Sequence, residues 1–466
     1  MEIDVSREFE GLELGDCRRA RRVQLIIGRL CTRADQSFPD ALGNDGATDA
    51  FYRLVGMKEV TFEKLTKPHR GETIVRSAER GVVLVAHDTT DFTFKGDGRK
   101  GLGTVNHSAQ GFYGHFSIAI SADGRREPLG TLAVKRWVRT ERAVATRIRA
   151  GELTATEARK EKRESSRWGE AVQEVEHVLS NTGITAVHIM DSEADDFSLM
   201  HELTALSRRF VIRGYHDRKI VEAAAGSSKL KEFGATLPTS FERYVGLAKR
   251  KTRMFDDRKR TQKREPRTAH LTFSAGTIRV KRPSTVEKEL PSELSLNVVY
   301  VREMDPPPGD EPIDWTLFTQ EPIDTDDEIL RIVDFYRARW VIEEFFKALK
   351  TGCAFEKRQL ESLHTLENAL ALFLPIAWAL LRLRTLARDF PELAASSALK
   401  PLEIAVLQRM KLLEPDTVPT VRQALMAVAR LGGYLKRNGE PGWLVIGRGY
   451  QELVVMAAGF ALALQN

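Results

Sequence analysis

The segment GVVLVAHD, residues 81–88, is a continuous apolar run that ends in an acid. A run of this kind is typical of a central strand, because both faces of such a strand are covered by the rest of the domain. A second run of the same design, TAVHIMD at 185–191, also finishes on an aspartate. The sequence therefore predicts two buried strands with Asp88 and Asp191 at their ends.

The segments around these two strands complete an ordered pattern. An Asp-Gly pair at 123–124 predicts a hairpin, and the charged segment that follows, ending WGEAVQEVEHVLSNTG at 168–183, has the apolar spacing of a helix. The further elements predicted in this region are strands at 115–121, 128–138 and 209–214, a helix that ends just before Gly183 and a helix at 192–206. The order β-β-β-α-β-α-β is that of the RNase H-like fold, in which Asp88 and Asp191 lie on strands that are expected to be neighbours.

The regions on either side of this core have a different character. Residues 1–70 are predicted to be helical, and residues 214–325 contain alternating apolar segments that predict a β-rich insertion. The last region, 381–466, is helical and ends in a segment that is apolar nearly all round, which requires burial in the domain or in a partner. The predicted fold class is α/β: an RNase H-like core at 71–380 with a β-rich insertion, plus helical N-terminal and C-terminal regions. The apolar stretch at 363–389 is predicted to be a buried helix pair.

One face of the first long helix is rich in arginine. The segment CRRARRVQLIIGRLCTRA, 17–34, places Val23, Ile26 and Leu30 at helical spacing, with Arg18, Arg19, Arg22 and other arginines around them. A solvated helix face is one interpretation. The segment contains no acid, since Asp35 lies beyond it, and this favours a surface that contacts phosphates.

A second charged row lies on a helix predicted at 326–352. At about 100° per residue, five side chains fall on one stripe of this helix: Tyr336, Arg339, Glu343, Lys347 and Lys350. An ordinary amphipathic helix in water is the alternative. A single carboxylate among cations and an aromatic ring is suited, however, to a site where DNA phosphates bind beside a carboxylate that holds a metal ion.

Three carboxylates at separate points of the chain suggest one chemistry. Hydrolysis and transfer of phosphodiesters can be driven by two Mg²⁺ ions about 4 Å apart, and such hard cations take oxygen ligands. Asp88, Asp191 and Glu343 would supply these ligands as catalytic, metal-binding residues. Taken singly, each aspartate could instead be a turn or cap residue.

Four residues of the charged row also carry a family resemblance. Tyr336, Arg339, Glu343 and Lys350 match Y-x2-R-x3-E-x6-K, the signature of the IS-four group of bacterial DDE transposases. Further blocks resemble the branch of this group that includes the Tn-five enzyme, in the same order: LGDCRRARR, VAHDTTDF, MDSEADDF, RFVIRG, DWTLFTQEP and MAVARLGGY. The chain departs from that branch at two positions. Ser192 stands where the branch has arginine, and His87 stands where the branch has an acid.

The resemblance implies roles for individual residues. Asp88, Asp191 and Glu343 would hold two Mg²⁺ ions, for which Mn²⁺ would substitute. Tyr336, Arg339 and Lys350 would grip phosphates of the transposon end, with Lys347 close to the scissile region and Arg213 on the DNA. Trp315 would stack on a base flipped out while the end forms a hairpin, as an extruded base requires.

The implied protein is a cut-and-paste transposase with an N-terminal DNA-binding region and a C-terminal dimerisation region. Its partners would be double-stranded DNA, both transposon ends and target, and a second copy in the synaptic complex. Two other functions stay open: a catalytically silent DNA-binding repressor derived from such an enzyme, and an RNase H-like nuclease that cuts without joining.

Composition agrees with this class. A formal charge of +6 and a pI near 9.1 allow a polyanionic partner. The 3 cysteines are too few and scattered for a disulfide framework or a zinc site. Without an apolar leader or a membrane-spanning segment, the sequence predicts a bacterial, cytoplasmic, nucleoid-associated protein that contacts no membrane.

Overall fold

The structure, a computed structural model, describes residues 5–33, 35–96, 98–105, 109–138, 165–222, 226–247, 253–255, 259–261, 264–435, 437 and 439–464. The chain forms two compact units. Unit 1 comprises Met1–Lys160, Gln173–Thr185 and Trp340–Asn466, and unit 2 comprises Glu161–Val172 and Ala186–Arg339.

The described helices are α1 Cys17–Thr32, α2 Phe38–Leu42, α3 Asp45–Gly56, α4 Phe62–Ala78, α5 Ser165–Leu179, α6 Phe197–Ala205, α7 Leu230–Thr236, α8 Asp326–Ala338, α9 Trp340–Lys347, α10 Leu363–Asp389, α11 Pro401–Arg409, α12 Val421–Leu431 and α13 Trp443–Leu464. The described strands are β1 Val82–Phe94, β2 Gly103–Val105, β3 Ala109–Ser121, β4 Pro128–Trp137, β5 Thr185–Met190, β6 Arg209–Arg213, β7 Lys219–Glu222, β8 Gly226–Lys229, β9 Phe241–Leu247, β10 Arg253–Phe255, β11 Lys259–Thr261, β12 Arg267–Lys281, β13 Glu293–Met304 and β14 Asp314–Thr319. The mixed α/β character and the order of core elements agree with the sequence prediction, with β2 as an additional short strand.

Unit 1 begins with helices α1 to α4, as predicted. Each starts after a residue whose side-chain oxygen accepts a backbone N–H of the first turn: Asp16, Ser37, Asn44 and Thr61. Such caps satisfy N–H groups that have no partner within the helix. The local sequence therefore determines where these helices begin.

A buried ion cluster ties the N-terminal segment to α4. Glu8 accepts hydrogen bonds from Arg76 Nη1 at 2.7 Å and lies 2.5 Å from His69 Nδ1. The backbone N–H of Thr131 donates to His69 Nε2 at 3.2 Å, so both ring nitrogens of His69 have partners. Although burial by itself would raise the pKa of Glu8, His69 and Arg76 hold it below its usual value.

The sheet of unit 1 consists of β1, β2, β3 and β4. Strand β3 pairs antiparallel with the other three, and the predicted hairpin joins β3 to β4. The prediction that the first strand ends at Asp88 is wrong, since β1 continues to Phe94. The segment TTDFTF after Asp88 contains β-branched and aromatic residues that suit a strand, so Asp88 lies in mid-strand.

Helix α10 forms the centre of unit 1. The predicted helix pair at 363–389 is one continuous helix, capped by Ser362. It is the one described helix long and apolar enough to cross a membrane, but 94% of its apolar window is buried inside the protein. Trp378 Nε1 donates to the carbonyl of Pro128 at 2.8 Å. Helix α10 is therefore the core helix of unit 1.

The C-terminal helices α11 to α13 also pack in unit 1. Close contact of α12 with α13 requires glycine, because a Cβ at Gly432 would lie 1.9 Å from the carbonyl oxygen of Val445. Ile446 and Leu453 on α13 are fully buried, whereas Leu462 is 65% exposed. The first part of the apolar helix is thus buried in its own unit, and its end is accessible.

Unit 2 contains a mixed sheet in the order β5-β6-β14-β13-β12-β7-β8, with β9 paired to β12. Strands β5 and β6 are parallel, and β14 pairs antiparallel with β6. The segments predicted as a β-rich insertion therefore continue the sheet that begins with β5 and β6. Its core includes Trp168, Met190, Phe210, Val298 and Phe318, all buried.

Candidate active site

Strand β1 and helix α9 bring two of the predicted carboxylates to one side of the unit 1 sheet. Asp88 stands directly opposite Phe116 of β3, so both side chains lie on the same face. The ring of Phe116 contacts those of Phe345 and Phe346 on α9, with centroids 6.0 and 5.3 Å apart. Glu343 precedes Phe346 by one helical turn. Helix α9 therefore covers the face of the sheet that carries Asp88.

The two adjacent acids of α9 differ in their surroundings. Glu344 is buried, and both of its carboxylate oxygens lie 2.9 Å from Nη1 of Arg388 on α10. Glu343 is half-buried. Since Glu344 is committed to an ion pair with the core helix, Glu343 is the acid of this helix that is suited to bind a ligand.

Two lysines follow Glu343 on the same chain segment. The ammonium of Lys347 lies 5.4 Å from the ring centroid of Trp340, which is 54% exposed. Lys350 lies in the π-helical turn Ala348–Gly352 and its Nζ is 3.4 Å from Oδ1 of Asp91. Both lysines are half-buried. Cations are thus present on the segment that carries Glu343, as predicted.

In unit 2, Asp191 follows β5 directly, as the sequence predicts. Its side chain accepts the N–H of Glu193 at 2.8 Å and caps a 3-10 turn. Because Met190 pairs with Ile212 in the parallel strands β5 and β6, Asp191 comes next to Arg213 at the carboxyl ends of both strands. The cap role considered for a single aspartate is therefore real for Asp191, whose carboxylate is half-buried.

Arg213 and Trp315 share one face of the unit 2 sheet. Arg213 is paired with Leu317 of β14, and Trp315 lies two residues from Leu317 on the same strand. The ring of Trp315 meets that of Tyr336 edge-on, with centroids 5.3 Å apart and planes at 74°. Asp191, Arg213, Trp315 and Tyr336 are thus gathered in one part of unit 2.

The predicted row of exposed side chains from Tyr336 to Lys350 is only partly found. The predicted single helix consists of α8, α9 and a π-helical turn, with a break at Arg339. Tyr336 is 6% and Arg339 is 9% exposed, so the expectation of accessibility is wrong for both. Tyr336 is covered because it packs on Trp315, a contact between distant segments that helical spacing cannot reveal.

The arginines of α1 separate into two groups. Arg18 and Arg22 are exposed, and within the described ranges their side chains make no hydrogen bond or ion pair. Arg19 instead donates to the carbonyl of Leu14, and Arg29 to that of Leu42. Part of the predicted phosphate-facing surface is therefore available, and part stabilises the fold.

Sequence reasoning missed a buried carboxylate close to Asp191. Asp195 accepts the N–H groups of Tyr215 and His216 at 2.7 and 2.8 Å and the Nε of Arg218 at 2.7 Å. These bonds fix the loop that follows Arg213. The signal is the acid-rich block MDSEADDF, in which only the first aspartate was assigned a role.

The donor atoms suit a hard divalent cation, since all three predicted ligands are carboxylates. Asp88, Asp191 and Glu343 are each half-buried, which leaves their carboxylates within reach of a ligand. Among the described residues, however, no three His, Cys, Asp or Glu side chains are grouped so as to hold a metal ion. Asp88 and Glu343 lie in unit 1, and Asp191 lies in unit 2.

Three family models match different parts of the chain, in order along it, and residues 61–172 lie outside all three. Residues 4–60 match the family described as Transposase DNA-binding, residues 173–378 match the Transposase DDE domain, and residues 375–465 match the Transposase Tn5 dimerisation domain. The second match includes Asp191, Glu343 and the signature residues, whereas Asp88 lies before it. The first match contains the arginine-rich helix α1.

Proposed function

The chain belongs to the Tn5-related DDE transposases, metal-dependent enzymes that cleave DNA and transfer strands, and we propose that it carries out cut-and-paste transposition through a hairpin intermediate. The observation that carries this proposal is the placement of Asp88 and Glu343 on one side of the unit 1 sheet. Two carboxylates held by a strand and a covering helix supply the acidic part of a site for phosphodiester chemistry.

We further propose that the catalytic core is RNase H-like, with Asp191 completing the set of three carboxylates. The N–H of Thr185, the first residue of β5, donates to the carbonyl of Gly81, which precedes β1, at 2.8 Å. This bond, within unit 1, holds the first residue of β5 beside the residue that precedes β1 and supports the proposed core. The proposed regions are 1–70 for DNA binding, 71–380 for catalysis and 381–466 for dimerisation.

DDE transposases use divalent metal ions, and we propose two Mg²⁺ ions held by Asp88, Asp191 and Glu343, with Mn²⁺ as a substitute. When bound, such ions would activate the attacking oxygen and stabilise the leaving oxygen. The role of the three carboxylates would be to hold the metal ions in place. Partial burial favours this role, because a low local dielectric strengthens the interaction of carboxylates with a cation.

The proposed reaction proceeds by exchange of P–O bonds at one phosphodiester after another. Water attacks the phosphodiester at the transposon end and releases a 3′-OH. That hydroxyl attacks the opposite strand, which forms a hairpin and separates the flanking DNA. A second water reopens the hairpin, and the regenerated 3′-OH attacks a target phosphodiester. Each step forms one P–O bond and breaks one, so no further reactant is needed.

Residues of unit 2 are suited to the hairpin step. We propose that Trp315 provides the ring on which a flipped base stacks, supported edge-on by Tyr336. The half-buried Arg213 would bind a phosphate near this base. Tyr336 and Arg339 are buried, so a phosphate would reach them only after the side chains that cover them move aside. Lys347 and Lys350 would bind phosphates on the side of Glu343. Arg18, Arg22 and the partly committed Arg19 would hold DNA further from the cleaved bond.

The chain binds DNA and oligomerises, as its family matches indicate. We propose that its DNA is double-stranded, comprising transposon inverted-repeat ends and target, and that two identical chains pair two ends. A bacterial enzyme with this substrate would work in the cytoplasm at the nucleoid.

The test is cleavage of a plasmid that carries the inverted repeats flanking the gene, with Mg²⁺ and the purified full chain. Excised, hairpin-ended fragments and joined target products are expected from the wild-type protein. Asp191→Ala and Glu343→Ala should abolish cleavage and keep end binding, whereas Glu193→Ala, which removes an exposed acid near Asp191, should keep both. Retained Mg²⁺-dependent cleavage by Glu343→Ala would reject the assignment. Binding without cutting would indicate a repressor, and cutting without joining a nuclease.

A further inference from the structure

Lys350 is held by two acids that the four-residue signature does not contain. Its Nζ lies 3.4 Å from Oδ1 of Asp91 on β1 and 3.6 Å from Oε1 of Glu356. The same ammonium lies 5.5 Å from the ring centroid of Phe92. Two carboxylates and an aromatic face therefore surround it, all within unit 1.

The position of Glu356 is itself fixed. Its Oε1 accepts the backbone N–H of Thr93 at 3.0 Å and is 3.2 Å from the hydroxyl of Thr93. The neighbouring Phe355 packs edge-on against Phe92, with centroids 5.2 Å apart. Strand β1 thus holds both acids, Asp91 as one of its own residues and Glu356 through Thr93.

The chemistry of lysine explains why such support matters. Its ammonium ends a flexible four-carbon stem and has three N–H donors without a fixed geometry. Asp91 takes one of these donors at hydrogen-bond distance, and Glu356 adds a longer ion pair. At least one donor remains for a phosphate oxygen. Asp91 follows Asp88 by three residues, about 10 Å along the strand at roughly 3.3 Å per residue.

We infer that Asp91 and Glu356 are positioning residues for Lys350, which hold its ammonium against strand β1 so that it meets a phosphate of the DNA end in one defined place. The inference rests on the proposed function, in which Lys350 binds DNA. Under this inference the two acids have opposing effects. Their negative charge weakens the attraction of the DNA to the protein, whereas their hold on the Lys350 ammonium increases the rate of cleavage.

This opposition distinguishes positioning from a purely structural role. Removal of the charge at Asp91 should strengthen DNA binding by about 2- to 5-fold, because one repulsive charge at close range is lost. The same change should slow cleavage by about 10-fold, since a misplaced group near the reacting atoms costs orientation. A damaged fold would weaken binding and cleavage together. If the acid merely competed with DNA for Lys350, its removal would increase both the DNA affinity and the cleavage rate.

The experiment uses the full chain with Asp91→Asn and Glu356→Gln, singly and together, in the wild-type and Lys350→Ala backgrounds. End-DNA affinity is measured in EDTA over a range of salt, and single-turnover cleavage is measured with Mg²⁺. Asp91→Glu keeps the charge and should restore most of the cleavage rate. Glu79→Gln removes an exposed carboxylate from the end of α4 and should change neither quantity.

The expected result is coupling: Asp91→Asn and Glu356→Gln slow cleavage in the wild-type background and have no further effect when Lys350 is alanine. In EDTA, Lys350→Ala should lower the salt slope of binding by about 1 in the wild type, and by less in the doubly substituted background. Equal slowing of cleavage in both backgrounds would overturn the inference, as would wild-type rates in the double variant. If the Lys350→Ala variant itself binds and cleaves DNA normally, the proposed role of Lys350 in DNA binding is wrong, and the inference about Asp91 and Glu356 is wrong with it.

Discussion

Glu344 and Arg388 form an ion pair between helix α9 and the core helix α10, with both carboxylate oxygens 2.9 Å from Nη1. The adjacent Glu343 lies on a different side of the same helix turn, since consecutive residues do not share a helix face. Two adjacent residues of the same type thus have different surroundings. Glu344 stabilises the helix that carries Glu343.

Substitution of these neighbours should therefore affect different quantities. Glu344→Gln should lower the free energy of unfolding by about 1–2 kcal/mol, because a buried acceptor loses its charge while Arg388 stays partly solvated. Its cleavage rate at 25 °C should stay within about 2-fold of wild type. Glu343→Gln should keep the stability and lose at least about 1,000-fold in rate. Denaturant unfolding and single-turnover cleavage measure both, and a reversed pattern would contradict the assignment.

The arginines of α1 allow a matched comparison in DNA binding. Arg18→Ala with Arg22→Ala removes two exposed cations, so affinity for end DNA should fall and the salt slope should decrease by about 2. Arg29→Ala removes a donor to the carbonyl of Leu42 and should lower the melting temperature instead. Filter binding between 50 and 200 mM salt, with thermal unfolding of the same samples, tests this. An unchanged slope in the double variant would show that α1 does not face phosphates.

The contact between Trp315 and Tyr336 leads to a prediction about one reaction step. Trp315→Ala should slow hairpin formation by about 10- to 100-fold, since stacking of a base on an aromatic ring contributes roughly 1–3 kcal/mol. The first nick should be much less affected. Trp315→Phe keeps a ring and should retain most of the rate. Denaturing gels that resolve nicked and hairpin products supply the measurement, and equal slowing of both steps would instead indicate a general defect.

Local patterns in the sequence were sufficient for much of the fold. Helical spacing, the Asp-Gly turn and the two apolar runs predict the helical N-terminal region with α1, the β3–β4 hairpin and β5 correctly, because each depends on residues close together in the chain. The end of β1 was misplaced at Asp88. An acid was taken as the end of the strand, although the threonines and phenylalanines after it favour its continuation.

The candidate site was harder to predict, since its details depend on contacts between distant segments. Helical spacing placed Tyr336 and Arg339 on an accessible stripe, but both side chains are buried, the tyrosine because Trp315 from β14 packs on it. In the same way, nothing in the spacing of Asp91 and Glu356 indicates that they meet at Lys350. Residue types predicted the chemistry, and only the packed chain reveals which acids are committed to other partners.

The cysteines provide a prediction that depends on burial alone. Cys17 is exposed, whereas Cys31 and Cys353 are buried. Burial raises the pKa of Cys353 from 9.0 to about 12, against the opposing effect of the nearby Arg358. Since the thiolate is the reactive form, one of the 3 thiols should react rapidly with a thiol reagent at pH 8 and the other two only on unfolding.

The raised pKa of Cys353 also sets a direction for stability against pH. Because the folded state keeps the proton that the unfolded chain releases near pH 9.0, this contribution is fully present below pH 9 and is lost as pH rises toward about 12. Above pH 9 the wild type should lose up to about 1.4 kcal/mol per pH unit relative to Cys353→Ala. Urea unfolding of both proteins at pH 8, 9 and 10 measures the difference. A constant gap between the two curves, or rapid reaction of all three thiols in the folded protein, would show that Cys353 is accessible to water.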